Sequence, residues 1–258
     1  MQPVRNRLTI FATMLPLSLS LTGQAMAQEA TEIDHEGFYV SSSIGAEFLN
    51  DSSFRGVQNP DAGVPGIPGG PADINVAYDT GFSVNGAVGY KIQDSLLFDF
   101  LKSRVEVEVG YSESDVSGGT FNGGNQTFSG DVSTFTATAG LYSDVVWSAN
   151  QKIIPYFGSA IGLAVLDTDV QYFPNNGVAT APTFGVRGSK TAFVTQSRLG
   201  LTIKATDKVD VFAEGRYQKI YGRNFDRRFI ANGNDGFNAS VRDDTESFGA
   251  GLGIRFNF

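Results

Sequence analysis

The sequence predicts an all-β chain, an eight-stranded antiparallel up-and-down transmembrane β-barrel with four long external loops. Three observations carry this expectation. Apolar residues alternate with small or polar ones in eight separate segments. Aromatic residues collect at both ends of those segments, and the first residues read as an export signal. The period of two is that of a strand, whereas a helix repeats every 3.6 residues.

The first strand, Phe38 to Phe48, places Phe38, Val40, Ile44, Ala46 and Phe48 on one face, with Tyr39, Ser41, Ser43, Gly45 and Glu47 on the other. The segment 81–91 follows, with Phe82, Val84, Val88 and Tyr90 on the apolar face. Next come 104–112, with Val105, Val107, Val109 and Tyr111, and 133–147, with Phe135, Ala137, Ala139, Leu141 and Val145. The fifth, sixth and seventh strands fall at 153–166, 191–204 and 208–221. The last, Ser247 to Phe258, is apolar at every even position. The opposite parity holds charged residues among many glycines: Lys91, Arg104, Glu106, Glu108, Asp144, Arg198, Asp210, Glu214, Arg216 and Arg255.

A soluble sandwich or lipocalin-like barrel also alternates, so the aromatics decide between them. With strands running alternately up and down, Phe48, Phe82, Tyr111, Phe135, Phe193, Tyr217 and Phe248 fall on the apolar parity at one end. Phe38, Tyr90, Trp147, Phe157 and Phe258 fall at the other. Two such girdles about 25 Å apart match the apolar band of an outer membrane. The connections 49–80, 113–132, 167–190 and 222–246 are long, while those near Asn150 and Asp207 are short. Long external loops and short periplasmic turns have this asymmetry, which leaves both termini in the periplasm.

Arg5 and Arg7, an apolar run from Leu8 to Leu21 and the Ala25-Met26-Ala27 site form the three parts of a secretory signal, with cleavage expected after Ala27. The expected organisation is a signal peptide at 1–27, a periplasmic segment at 28–36 and the outer-membrane barrel at 37–258. Removing two arginines and no acids leaves 17 basic and 27 acidic residues, a net charge of −10. That charge excludes nucleic acid as a partner. There is no cysteine, so no disulfide holds the fold.

The stretch Pro155-Tyr156-Phe157-Gly158-Ser159-Ala160-Ile161-Gly162, together with Gly215-Arg216-Tyr217 and the closing Ser247–Phe258 segment, resembles the OmpA-type eight-stranded barrels and small outer-membrane surface antigens of the porin-like family. The resemblance implies that Phe258 is the assembly signal read by the barrel-assembly machinery. It also implies a barrel without the peptidoglycan-binding domain of full-length OmpA proteins.

An eight-stranded barrel is just wide enough for side chains to fill it, and charges inside must pair. Arg104, Glu106, Glu108, Arg198, Glu214, Arg216 and Arg255 are therefore expected to form a lumen network that plugs the barrel. The alternative is a narrow porin for small solutes. Catalysis is not expected, because the single histidine, His35, precedes the first strand in an acidic segment. No metal site or cofactor is expected, although loop acids such as Asp235, Asp243 and Asp244 leave calcium open. The Pro-rich tract Asn59–Ala72 and the Gly-rich tract Gly118–Gly130 read as mobile. Arg223, Arg227 and Arg228, beside Phe225 and Phe229, are the expected loop contacts for lipopolysaccharide phosphates or for a host or phage ligand. The function these features suggest is structural and surface recognition, in envelope integrity, adhesion or antigen-like display.

Overall fold

The computed structural model describes residues 36–92, 100–148, 150–175 and 180–258. The expected signal peptide, His35, the Leu96-Leu97-Phe98 run and Asn176 lie outside the described residues. Among the described residues there are ten strands: β1 (Gly37–Leu49), β2 (Ser52–Gln58), β3 (Ile74–Tyr78), β4 (Gly81–Ile92), β5 (Leu101–Phe121), β6 (Gly124–Val145), β7 (Ile153–Pro174), β8 (Phe184–Lys204), β9 (Val209–Phe229) and β10 (Gly236–Asn257).

The pairings close the sheet twice. In the lower storey β1 and β4 stand between β10 and β5, and eight antiparallel strands complete the expected ring. In the upper storey β2 and β3 take those two places, so the ring stays closed above the point where β1 ends and β4 begins. Closure at both levels leaves no long strand edge to pair with another chain. At about 3.3 Å per residue, the strands of 21 or 22 residues reach about 70 Å. That is far more than tilted strands need to cross an apolar band of about 25 Å.

The strands therefore absorb much of what the sequence presented as loops. The expected 113–132 loop is a continuation of β5 and β6 joined by Asn122-Gly123. Both turn residues have positive φ, 47° and 78°, the backbone of the two-residue hairpin turn that Asn-Gly favours. The Asn59–Ala72 tract is also tied down, contrary to expectation. Gln58 Nε2 donates to the Pro71 carbonyl at 2.7 Å, Asn59 N–H to the Asn238 carbonyl at 2.7 Å, and Asn238 Nδ2 to the Pro65 carbonyl at 2.8 Å.

The two storeys have opposite polarity. Below, the apolar parity faces outward: Val107 and Leu252 are 62% and 68% exposed. Above, it faces inward, and Phe54, Ile74, Leu166, Val170, Val186, Ile220, Phe225 and Val241 form one buried apolar core. The switch is visible along single strands. In β7, outward Phe157, Ile161, Leu163 and Val165 give way to inward Leu166, Val170 and Tyr172. In β10, outward Phe248 and Leu252 contrast with inward Ala239 and Val241. One irregularity matters later. Pairing between β8 and β9 runs to Arg187↔Asp226, is interrupted, and resumes at Val194↔Ile220.

Candidate functional site

Alternation sends every second side chain of the lower strands into the barrel interior, where the structure places Arg104, Glu106, Glu108, Arg198, Glu214, Arg216 and Arg255. Arg104 pairs with Glu106 at 2.9 Å and Asp144 at 3.2 Å. Arg198 pairs with Glu106 at 2.9 Å and also with Glu108. Arg216 lies 3.0 Å from both Glu108 and Glu214. Arg255 and Lys91 converge on Asp210 at 3.8 and 3.6 Å. Glu106, Glu108 and Asp210 are each shared between cations on different strands, which offsets the desolvation cost that an isolated buried charge would incur.

Tyrosines complete this lumen, and the sequence expectation missed them. Tyr39 Oη donates to Glu106 at 2.8 Å and accepts from Arg104 at 3.0 Å. Tyr156 Oη donates to Glu214 at 2.8 Å. The guanidinium of Arg104 lies over the rings of Tyr142 and Tyr156, 4.6 and 4.7 Å from their centroids. Room for the rings comes from glycines on the neighbouring strand. A Cβ on Gly89 would come within 2.1 Å of the Tyr39 ring, and one on Gly253 within 2.2 Å of the Phe212 ring. The register pairs Tyr39 directly with Gly89 and Phe212 with Gly253. A Tyr–Gly pair across two strands was therefore the available signal. The space left in this network is about 10 Å³, no more than one water requires.

The outward aromatics lie at two levels of the barrel wall. At the upper level Tyr217 packs on Phe248 at 5.1 Å and Phe82 on Tyr111 at 6.0 Å, with Phe48, Phe135 and Phe193 exposed at the same height. At the lower level Phe38 meets Tyr90 at 4.9 Å, and Trp147, Phe157 and Phe258 are exposed. The Phe258 N–H donates to the Phe38 carbonyl at 3.0 Å, joining the last residue to the first strand.

Two of the three expected loop contacts require correction. Arg223 and Arg227 are each 2% exposed, because the bulge at Tyr221-Gly222 moves the inward face of β9 from even residues such as Ile220 to odd ones. Arg227 lies between the rings of Phe184 and Phe121, 3.8 and 4.2 Å from their centroids. Its Nε donates to Tyr172 Oη at 2.5 Å, and its Nη1 to Asn238 Oδ1. It thus ties β5, β7, β8, β9 and β10 together under the Asn59–Ala72 tract, and burial pulls its pKa down. Arg223 faces Asp243 at 3.7 Å. Burial lowers the arginine and raises the carboxyl. Only Arg228 reaches the surface, paired with Asp226 at 3.2 Å and Asp235 at 3.5 Å. No group of three or more possible metal ligands is found among the described residues.

Comparison with known proteins agrees with this architecture. Two solved structures resemble the chain in fold. The outer membrane protease OmpT of Escherichia coli is 7% identical over 91% of this chain and 99% of that one, with a TM-score of 0.52. The outer membrane protein OprG of Pseudomonas aeruginosa is 14% identical over 88% of this chain and 100% of that one, with a TM-score of 0.51. At such identities the likeness is one of fold. Among curated proteins no relative was found. The model of the family described as "Surface antigen" matches residues 71–258, from the end of the first long connection through the last strand, and the chain, an outer-membrane β-barrel, belongs to that surface antigen family.

Proposed function

We propose that this barrel is a closed, structural protein of the outer membrane whose upper storey is the surface it presents outside the cell, in envelope integrity, adhesion or recognition. The observation that carries this reading is the filled interior. Paired charges and tyrosines occupy the lower lumen, leaving about 10 Å³, and the apolar core occupies the upper storey. A solute would have to displace both. Export by a signal peptide cleaved after Ala27, periplasmic termini and insertion by the barrel-assembly machinery through the Phe258 segment belong to the same reading. No catalytic role is included, since the barrel interior is filled by paired groups rather than arranged around a cleft.

Planar-bilayer recording on the purified, refolded protein tests the closed lumen. The expected result is silence at ordinary voltages. Steady conductance steps of reproducible size would instead support the narrow porin.

A further inference from the structure

Lysine is unevenly distributed in this barrel. Five of the seven lysines, Lys91, Lys102, Lys152, Lys204 and Lys208, stand at the end that carries the short turns. The outer wall of the opposite storey is acidic instead, with Asp115, Asp131, Asp167 and Asp169 on neighbouring strands. Lys91 turns into the lumen, 3.6 Å from Asp210. Lys152, Lys204 and Lys208 form no ion pair among the described residues, and Lys152 and Lys208 are exposed.

Two turns bring these three lysines together. The Lys204 N–H donates to the Lys152 carbonyl at 2.9 Å, which joins the start of β7 to the end of β8. The Ala205 and Thr206 N–H groups both donate to the Val209 carbonyl, at 2.9 and 3.0 Å. Thr206 Oγ1 accepts in turn from the Lys208 and Val209 N–H groups, at 3.3 and 3.0 Å. The β8–β9 turn is therefore fixed, with Lys204 on one arm and Lys208 on the other. Asp207 is the one acid in the β6–β7 and β8–β9 turns, so three positive charges meet a single negative one. Lys204 shares the lumen parity with Asp210, its partner in register, but it is the last residue of β8. Lys152 and Lys208 lie outside the strands, where alternation no longer confines a side chain to the lumen.

Outward apolar groups lie immediately beside these lysines. Ile153 follows Lys152 and Ile203 precedes Lys204, and the register sets Ile153 opposite Ile203 and Ile203 opposite Val211. All three are exposed on the lipid-facing parity, as is Trp147 at the start of the β6–β7 turn. The wall here is an aliphatic strip that ends in ammonium groups one residue further on. Lysine suits that place, because its apolar stem can lie along the strip while its charge stays at the headgroup level.

We propose that this rim binds a glycerophospholipid with a net negative headgroup, drawn from the periplasmic leaflet. Its phosphate accepts charge-assisted hydrogen bonds from Lys152, Lys204 and Lys208, and its acyl chains run along Ile153, Ile203 and Val211. A zwitterionic lipid is held less tightly, because its own ammonium offsets the attraction of the lysines. The proposal rests on the reading that the short turns face the periplasm.

The experiment compares phosphatidylglycerol with phosphatidylethanolamine of the same acyl chains, bound to the refolded full barrel in detergent and counted by native mass spectrometry. The wild-type protein should prefer the anionic lipid by about fivefold or more. The combined Lys152→Gln, Lys204→Gln and Lys208→Gln variant should lose that preference, while Arg242→Gln in the upper storey should keep it. Equal binding of the two lipids by wild type, an intact preference in the folded, heat-modifiable triple variant, or an equal loss in Arg242→Gln would each overturn the proposal. If the triple variant does not fold, Lys152→Gln with Lys208→Gln, both outside the strands, decides in its place. Equal lipid binding together with lysine-dependent retention on purified cell-wall sacculi would give the surface to a soluble-side polyanion instead. Binding in detergent does not depend on membrane orientation. Impermeant labelling of cysteines at Gly123 and Asn150 in cells therefore tests the orientation separately: reaction at Asn150 but not Gly123 would reject the periplasmic leaflet while leaving the measured lipid preference in place.

Discussion

At the scale of single residues, Glu106 holds the lumen together. It accepts from Arg104, Arg198 and Tyr39 at once, so neutralising it takes one carboxylate partner from each of two buried guanidinium groups, leaving Arg104 to Asp144 and Arg198 to Glu108. Glu106→Gln should lower folding stability in lipid vesicles by about 3–5 kcal/mol, as read from urea titration of the heat-modifiable form. A change under about 1 kcal/mol would mean that water already screens the network. Asp131 makes a second, opposite prediction. Partial burial, and then Asp169, Glu113 and other acids around it, hold its carboxyl above the ordinary 3.8. A raised carboxyl pKa means that the folded state disfavours the charged form. The penalty is absent below the ordinary value and grows as pH rises through the folded pKa. Asp131→Asn should therefore stabilise the barrel at neutral pH and give no gain below about pH 3.8. A gain that persists in acid would assign the effect to something other than charge. The seven lumen charges were legible because parity alone decides which side of a strand a residue faces. The tyrosines were not, since a tyrosine on the polar parity looks like any half-polar residue until its partner glycine is known from the register. Arg223 and Arg227 were misread for a different reason: the bulge at Tyr221-Gly222 turns the odd residues of β9 from the outer face to the inner one, so neither proximity to a turn nor the parity of the lower strand reveals their burial.

At the scale of elements, the strands outgrow the membrane. The apolar parity changes phase near Val165/Leu166 in β7 and between Ala239 or Val241 and Phe248 in β10. Both changes are written in the sequence, as a shift of apolar residues from one parity to the other. Searching for one parity per strand ends each strand at the girdle and leaves the continuation as a loop. The Gly-rich run Gly118–Gly130 reinforced that reading, because glycine and asparagine also mark flexible linkers. In the structure Asn122-Gly123 close a hairpin whose ladder pairs Thr120 with Asn125 and Asp115 with Asp131. The β6 side pairs continuously with β7 from Gln126 to Asp144. Hydrogen exchange provides the check. Amides from Phe128 to Val132 should be protected for minutes or longer in the folded barrel, as ladder amides backed by a buried core are. Complete exchange within seconds would return this segment to the mobile loop its composition suggests.

At the scale of the whole molecule, one closed sheet serves two solvents. Where hydrocarbon surrounds it, apolar groups face out and paired charges fill the inside. Where water surrounds it, the arrangement is reversed and the inside becomes an ordinary apolar core. The surface antigen match and the barrel neighbours agree with the lower storey, and the upper storey gives the presented surface its rigidity. The girdle is the level at which the inversion has to occur. Spin labels placed singly along β10, at Leu252, Phe248, Arg242 and Val241, read that inversion directly in lipid vesicles. Leu252 and Phe248 should be accessible to lipid-dissolved oxygen and protected from aqueous nickel reagents. Arg242, on the outer wall above them, should reverse to nickel access, and Val241 should be shielded from both. A label at Leu252 shielded from both reagents, or one at Val241 open to nickel, would contradict a two-storey barrel that turns its apolar face outward only within the membrane.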